Sequence, residues 1–181
     1  MPVSPFALFI TWTTYGTWLP GDPRGYVSNT LLPGGAYERK RNQRGTPCGQ
    51  DDPATLAAAR RFQEHATVWL TQAESRVAAE AIRQAAVERD WVILRAACMA
   101  NHIHSLITNC PADGPAVRRV IKGVSSAALS EAAGAPRRWW TRGGSDRYLH
   151  DQAAIAAADR YIHNQSGMLC EIVVMQVIPR K

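Results

Sequence analysis

The feature that most constrains the fold of this chain is a pair of strand-like runs with almost nothing between them. Residues 91–98 and 101–108 are both rich in apolar and β-branched side chains, as buried strands are. Only Met99 and Ala100 separate the two runs, so the pattern predicts an antiparallel hairpin. The core of the chain is therefore expected to form on a sheet.

The segments around this hairpin alternate between strand and helix periodicities. Thr71 and Glu74 match a capping box, which marks the start of an amphipathic helix. The predicted elements are a strand at 6–14, helices at 54–65 and 72–89, a helix beginning at 113–115, a second hairpin around Gly143–Gly144, a helix at 151–165 and a strand at 171–178. This order predicts an α+β fold with a ferredoxin-like β-α-β-β-α-β core. Its central antiparallel sheet would have helices on one face, with an additional C-terminal helix and strand.

Length and composition are those of one globular domain. The chain has 181 residues, of which 46% are hydrophobic and 20% charged, and this composition excludes wholesale disorder. We expect one domain over residues 1–181, with a loop-rich insert at about 15–66 where Gly and Pro are frequent. No apolar run approaches the ~18 residues of a membrane helix, and the first residues lack a signal-peptide pattern. We therefore expect no membrane partner and a cytoplasmic location, at the nucleoid of a prokaryote.

The charge balance favours a polyanionic partner. Lysine and arginine number 21 against 15 acidic residues, a formal net charge of +6. Such an excess favours nucleic acid first, although a protein can be basic without binding it. The four cysteines, Cys48, Cys98, Cys110 and Cys170, lack the spacing of a zinc site and are expected to be free thiols.

His102-Ile103-His104 is the sharpest chemical motif. Side chains at i and i+2 of a strand point to the same face, so the two imidazoles would project together. Two imidazoles at that spacing can converge on one divalent metal ion. The alternative is a pair of polar residues on a solvated face of the sheet.

A second motif lies near the end of the chain, in a predicted helix. Tyr161 and Gln165 are four residues apart and would share one helix face. The functional interpretation is a tyrosine nucleophile with an amide oxygen as a third metal ligand. The alternative is a surface tyrosine that packs its ring and hydrates its hydroxyl. Tyr148 is a rival nucleophile, and His163 a rival ligand that would point away from Tyr161.

Together these motifs resemble those of the HUH endonucleases. The resemblance is strongest to the single-tyrosine transposases of bacterial insertion sequences and to the REP-associated tyrosine transposases. The similar stretches are 9–22, 91–93, 101–107, 121–123, 142–144, 147–149 and 161–162. Two positions depart from the family pattern: Asp90 stands where glycine is common, and Asn164-Gln165 where many relatives have Asn-Pro.

The resemblance implies a specific reaction on single-stranded DNA. Tyr161 would attack a phosphodiester near a DNA hairpin, giving a 5′-phosphotyrosine intermediate and a free 3′-hydroxyl. Mg²⁺ or Mn²⁺ would be held by His102, His104 and Gln165. Reversal with another 3′-hydroxyl would join strands, as in DNA transposition and recombination. The resemblance is compatible with a monomer and with a homodimer.

Basic and aromatic side chains are the candidates for DNA contact, with an ordinary solvated surface as the alternative for each. They are Arg118, Arg119, Lys122, Arg142, Arg147, Trp18, Arg39, Lys40 and Arg41. Two other functions remain open: a non-catalytic protein that binds DNA hairpins on the same scaffold, and a metal-dependent hydrolase that uses the two histidines with a bound water. In both, Tyr161→Phe would have no effect.

Overall fold

The structure is a computed structural model that describes residues 7–24 and 52–180. The chain divides into two compact units: one combines the residues up to Thr14 with those from Val68 onwards, and the other is Tyr15–Thr67. The predicted insert at about 15–66 and the single-domain assignment stay predictions. Arg39, Lys40 and Arg41 lie outside the described residues.

The described residues form a mixed α+β fold with a six-stranded antiparallel sheet and four helices. The strands are β1 (Ala7–Thr13), β2 (Val92–Met99), β3 (His102–Thr108), β4 (Ser145–Leu149), β5 (Met168–Val173) and β6 (Gln176–Pro179). The helices are α1 (Pro53–Arg61), α2 (Gln72–Val87), α3 (Gly114–Ala132) and α4 (Gln152–His163). All except α1 belong to the first unit. The strand order across the sheet is β4-β1-β3-β2-β5-β6.

Local sequence signals account for several of these elements. The predicted hairpin is confirmed, with β2 and β3 antiparallel and adjacent. The capping box is also confirmed, because Thr71 accepts a hydrogen bond from the Glu74 amide while the Glu74 side chain accepts one from the Thr71 amide. Asp113 and Asp151 are the N-caps of α3 and α4, and each accepts a hydrogen bond from a first-turn amide.

The two faces of the sheet carry different helices. On β4, Asp146 and Tyr148 contact α3, whereas Leu149 packs in an apolar cluster with α4. Because neighbouring residues of a strand point to opposite faces, α3 and α4 lie on opposite sides of the sheet. Helix α2 packs against α3. Helix α4 contributes Ala158 and Ile162 to its cluster.

The second predicted hairpin is wrong. Ser145–Leu149 pairs with β1, and Trp140 forms a bridge with Thr14 at the end of the same strand. Both arms therefore run along β1 instead of pairing with each other. Gly144 permits this path, since a Cβ there would lie 2.8 Å from the carbonyl oxygen of Thr11.

The single closing strand predicted at 171–178 is also wrong, because this segment contains a turn. Strands β5 and β6 pair as a hairpin around Val174 and Met175. Both turn residues have positive φ, 42° and 67°, in a region that Gly and Asn favour. The apolar side chains at the turn hide it from sequence patterns. None of the helices among residues 7–24 and 52–180 is long and apolar enough to cross a membrane.

Candidate functional site

The two histidines of β3 project together on the face of the sheet that α4 covers. Their ring centroids lie 4.7 Å apart, with the ring planes at 80°. An ion about 2.0–2.1 Å from one nitrogen of each ring, with an angle between tetrahedral and octahedral, places the ring centres about 4.5–5 Å apart. The spacing of His102 and His104 therefore suits two ligands of one metal ion.

One nitrogen of each ring is held by a polar neighbour. His102 Nδ1 donates a hydrogen bond to Asn101 Oδ1 over 2.7 Å, and His104 Nδ1 shares one with Thr11 Oγ1, also over 2.7 Å. Such hydrogen bonds fix ring orientation and leave Nε2 as the atom that ligates a metal. Thr11 lies directly opposite His104 in the β1–β3 pairing.

Burial determines the charge of His104. Its side chain is only 5% exposed, and burial lowers the pKa to about 3, with repulsion from His102 as a second cause. The imidazole is therefore neutral near pH 7. A neutral imidazole is the form that binds metal.

Helix α4 brings Tyr161 to the histidine pair. The Tyr161 ring centroid lies 5.3 Å from that of His104 and 5.9 Å from that of Phe9. Ile162 is fully buried while Tyr161 is 51% exposed, so the tyrosine sits at the rim of the helix–sheet contact. The phenol is therefore open to solvent on the side of the helix next to the histidine pair.

Gln165 lies just beyond α4, which ends at His163 with Asn164 as its C-cap. The Gln165 amide nitrogen donates to the Tyr161 carbonyl oxygen over 3.1 Å, which leaves the amide oxygen as the atom that could bind a metal. Within the described ranges, no three His, Cys, Asp or Glu side chains gather into a metal site. Among the described residues, a third ligand for a metal at the histidine pair would therefore be of another type.

The two rival residues lie elsewhere. The Tyr148 hydroxyl accepts a hydrogen bond from the Gly114 amide, 3.2 Å away, on the face that α3 covers. His163 Nδ1 lies 3.5 Å from Arg95 Nη1. Of Tyr148 and Tyr161, Tyr161 is thus the one that shares the face of the histidine pair.

Two of the predicted DNA contacts lie on or next to β4. The Arg147 guanidinium carbon is 5.9 Å from the centroid of Phe9, the ring that also neighbours His104 and Tyr161. Arg147 is exposed and pairs with Phe9 in register, so its charge lies on the face of the site. Arg142 is exposed in the segment before β4.

The predicted contacts on α3 lie on the other face of the sheet. Arg118 forms an ion pair with Asp146, and Lys122 Nζ donates to the carbonyl oxygens of Thr141 and Gly143, 2.5 and 2.8 Å away. Burial, with the nearby positive charge of Arg118 as a second cause, lowers the pKa of Lys122 to about 8. Arg119 is exposed. A role in DNA binding stays a prediction for all three basic residues.

Trp18 belongs to the second unit, Tyr15–Thr67. Its ring is 37% exposed, and the Arg24 guanidinium carbon lies 4.5 Å from the ring centroid. Arg24 is itself paired with Asp22, which holds the pKa of that carboxyl below its usual range. The DNA contact by Trp18 stays a prediction.

Sequence reasoning missed the residues that support the site. Thr11 comes from a strand far from β3 in the chain, and nothing in the stretch 9–22 indicates that it contacts a histidine. Asn101 belongs to the stretch 101–107 but has no predicted role of its own, although its position before His102 is a local signal. Arg95 lies in a predicted strand with no predicted role, yet it contacts α4 through Asp159.

Comparison with protein-family models gives no match, and comparison with curated proteins gives none either. Among solved structures, the chain is similar to one described as a REP-associated tyrosine transposase bound to a REP hairpin. The sequences are 13% identical, the TM-score is 0.45, and the alignment covers 89% of this chain and 66% of that chain. The chain thus spans just under two thirds of that protein's length.

Proposed function

We propose that this chain is a metal-dependent endonuclease and strand transferase for single-stranded DNA, an HUH-type tyrosine transposase. One observation carries the proposal: the Tyr161 ring lies 5.3 Å from His104, whose ring lies 4.7 Å from that of His102. A candidate nucleophile and two candidate metal ligands, distant in the chain, meet on one face of the sheet. The strand order β4-β1-β3-β2 supports a ferredoxin-like arrangement around them.

The tyrosine would act as a covalent nucleophile on a phosphodiester. The Tyr161 hydroxyl gives up its proton and its oxygen bonds to phosphorus, while the bond from phosphorus to the 3′-oxygen breaks. The leaving 3′-oxygen takes up a proton, so the products are a 5′-phosphotyrosine and a free 3′-hydroxyl. Attack by another 3′-hydroxyl reverses these changes and joins two strands without ATP.

The residues at the site fit a divalent ion such as Mg²⁺ or Mn²⁺. His102 and His104 would ligate through Nε2, and Gln165 through its amide oxygen, completing a mixed nitrogen and oxygen set. When bound, the ion would polarise the phosphate and offset the charge that develops on it. Asn101 and Thr11 orient the two imidazoles.

The partner would be single-stranded DNA next to a hairpin. The net charge of +6 attracts a polyanion, and Arg147 supplies a cation on the face of Tyr161. Arg142 and Arg119 are exposed and can reach phosphates away from the reacting bond. The carbonyl contacts of Lys122 hold the segment that carries Arg142.

A non-catalytic protein that binds hairpin DNA is the second candidate. It is favoured by the absence, within residues 7–24 and 52–180, of a third His, Cys, Asp or Glu beside the histidine pair. Such a protein would bind the hairpin equally well without metal, because phosphate contacts by arginine need no divalent ion.

A covalent-adduct assay separates these functions. Labelled single-stranded DNA hairpins are incubated with the full chain and Mn²⁺ or Mg²⁺, denatured, and run on a gel beside Tyr161→Phe and the double variant His102→Ala/His104→Ala. Tyr148→Phe is the matched control, since it removes a hydroxyl on the opposite face. We expect a labelled protein band only in the wild type and in Tyr148→Phe. Cleavage that survives Tyr161→Phe would indicate a hydrolase, and binding without cleavage the non-catalytic protein.

A further inference from the structure

Helix α4 is tied to the sheet by a group of charged side chains that the proposed reaction does not use. Arg95, on β2, donates through Nε to Asp159 Oδ1 over 2.6 Å and through Nη1 to Glu171. Glu171, on β5, has no exposed surface and also accepts a hydrogen bond from Arg180 Nη2. Two arginines and two carboxylates balance in charge, which matters most for Glu171, because an unpaired charge is costly at a fully buried position.

A bulge in β2 places Arg95 in this position. The β2–β3 register pairs Ile93 with Ile107 and then Arg95 with Leu106, so Leu94 is an extra residue. A shift of one residue turns the following side chains to the opposite face of a sheet. Without the bulge, Arg95 would share the face of Ile93; with it, Arg95 faces α4.

Arg95 contacts one side of α4. Asp159 and His163, one turn apart on the helix, both face its guanidinium. Ala158 and Ile162 point down into the apolar cluster. At about 100° per residue, Tyr161 lies on the flank opposite to Asp159, with the buried stripe between them.

Two kinds of contact hold α4 on the sheet, one apolar and one a hydrogen bond. Apolar burial of Ala158 and Ile162 holds α4 against the sheet but has no preferred direction. The hydrogen bond between Arg95 and Asp159 is directional, so it resists rotation of the helix about its axis. A rotation that lifts Asp159 from Arg95 carries the Tyr161 ring away from its place beside His104.

We infer that Arg95, held by Glu171, is a positioning residue that fixes the rotation of α4 through Asp159 and so keeps Tyr161 at the histidine pair. The inference rests on the proposed function, and it adds a cause for the alignment of the nucleophile. It predicts that loosening this contact slows the covalent step without weakening DNA binding. Misplacement of a reacting group by about 1 Å costs on the order of 100-fold in rate.

Asp159→Asn is the variant that tests this idea with the least disturbance. It removes the charge that strengthens the hydrogen bond from Arg95, on a side chain that is 38% exposed, and leaves the pair of Glu171 with Arg95 in place. Asp159→Glu keeps the carboxylate and serves as the conservative rescue. Glu80→Gln is the matched control, because Glu80 pairs with Arg83 on α2, away from the site.

Three quantities are measured on the full chain: the rate of covalent attachment to saturating labelled hairpin DNA with Mn²⁺, the Kd for that DNA, and amide hydrogen exchange along α4. We expect Asp159→Asn to attach DNA about 10- to 100-fold more slowly, with an unchanged Kd and faster exchange in α4. Asp159→Glu should restore most of the rate, and Glu80→Gln should match the wild type in all three.

The outcomes distinguish this inference from the proposed function. A wild-type rate in Asp159→Asn overturns the inference, and so does a parallel loss of rate and DNA affinity, which indicates general damage or a direct DNA contact. If the wild type forms no adduct with any metal, the proposed function fails. Amide hydrogen exchange in α4 then still tests whether the contact between Arg95 and Asp159 holds the helix. Unchanged exchange in Asp159→Asn overturns the inference, and faster exchange supports it.

Discussion

Replacing Thr11 by valine tests the orientation of the histidine pair. The two side chains have nearly the same shape, so the change removes one hydroxyl and little else. That hydroxyl forms the 2.7 Å hydrogen bond to His104 Nδ1, and His104 is 5% exposed. The variant therefore leaves a buried ring nitrogen without its partner.

The expected cost follows from that burial. A buried polar group that loses its hydrogen-bond partner destabilises a protein by about 1–3 kcal/mol. Loss of the outer partner of a ligating histidine lowers metal affinity by about 10- to 100-fold. We expect Thr11→Val to show both effects, with Mn²⁺ affinity the more specific of the two.

The assay compares Thr11→Val with Thr13→Val on the same strand. Thr13 lies on the same face two residues away, but its hydroxyl bonds to the Thr141 hydroxyl over 2.9 Å. Urea unfolding of metal-free protein gives the change in free energy, and Mn²⁺ titration gives the affinity. Equal Mn²⁺ affinities in the two variants would refute the reasoning, since a general effect of losing a threonine hydroxyl would then explain both.

Three further predictions concern basic residues on either side of the sheet. Near pH 10.5, where the Lys122 amine is neutral in the folded protein, Lys122→Met should lower the free energy of urea unfolding by about 1–2 kcal/mol, because the carbonyls of Thr141 and Gly143 lose their donor. Arg119→Met, at an exposed position, should change it by less than about 0.5 kcal/mol. The lowered pKa of Lys122, about 8 against an ordinary 10.5, means that the unfolded chain binds more protons between those pH values. Stability of the wild type relative to Lys122→Met should therefore rise from pH 8 to pH 10.5; a flat or falling difference would contradict this. Arg147→Gln should weaken hairpin binding and reduce the slope of log affinity against log salt by about 0.7, with an unchanged slope counting against a phosphate contact.

Local patterns in the sequence were sufficient for the elements whose signals lie within one segment. The capping box located the start of α2, because its two hydrogen bonds join residues three apart. The hairpin of β2 and β3 followed from two strand-like runs with a minimal connection. The shared face of His102 and His104 followed from the two-residue period of a strand, and the structure has the two rings together.

Local sequence patterns failed at two places: the turn between β5 and β6, which lacks Gly and Asn, and the segment at Gly143 and Gly144. Val174 and Met175 adopt positive φ between two paired strands, so one predicted strand became two. Gly143 and Gly144 looked like the centre of a hairpin, yet the flanking residues both align on β1. Glycine permits a reversal and a close approach equally, and only the neighbouring strand determines which of them occurs.

The sequence by itself determined the kind of chemistry this protein can carry: two imidazoles on one strand face, a tyrosine on a late helix and an excess of positive charge. It determined these because residue type and short-range periodicity are local properties. The tertiary structure alone decided that Thr11 orients His104 and that a bulge turns Arg95 toward Asp159, and it brought the ring of Tyr161 to within 5.3 Å of His104. Each of these depends on register between segments far apart in the chain, and a register shift of one residue reverses the face on which every following side chain lies.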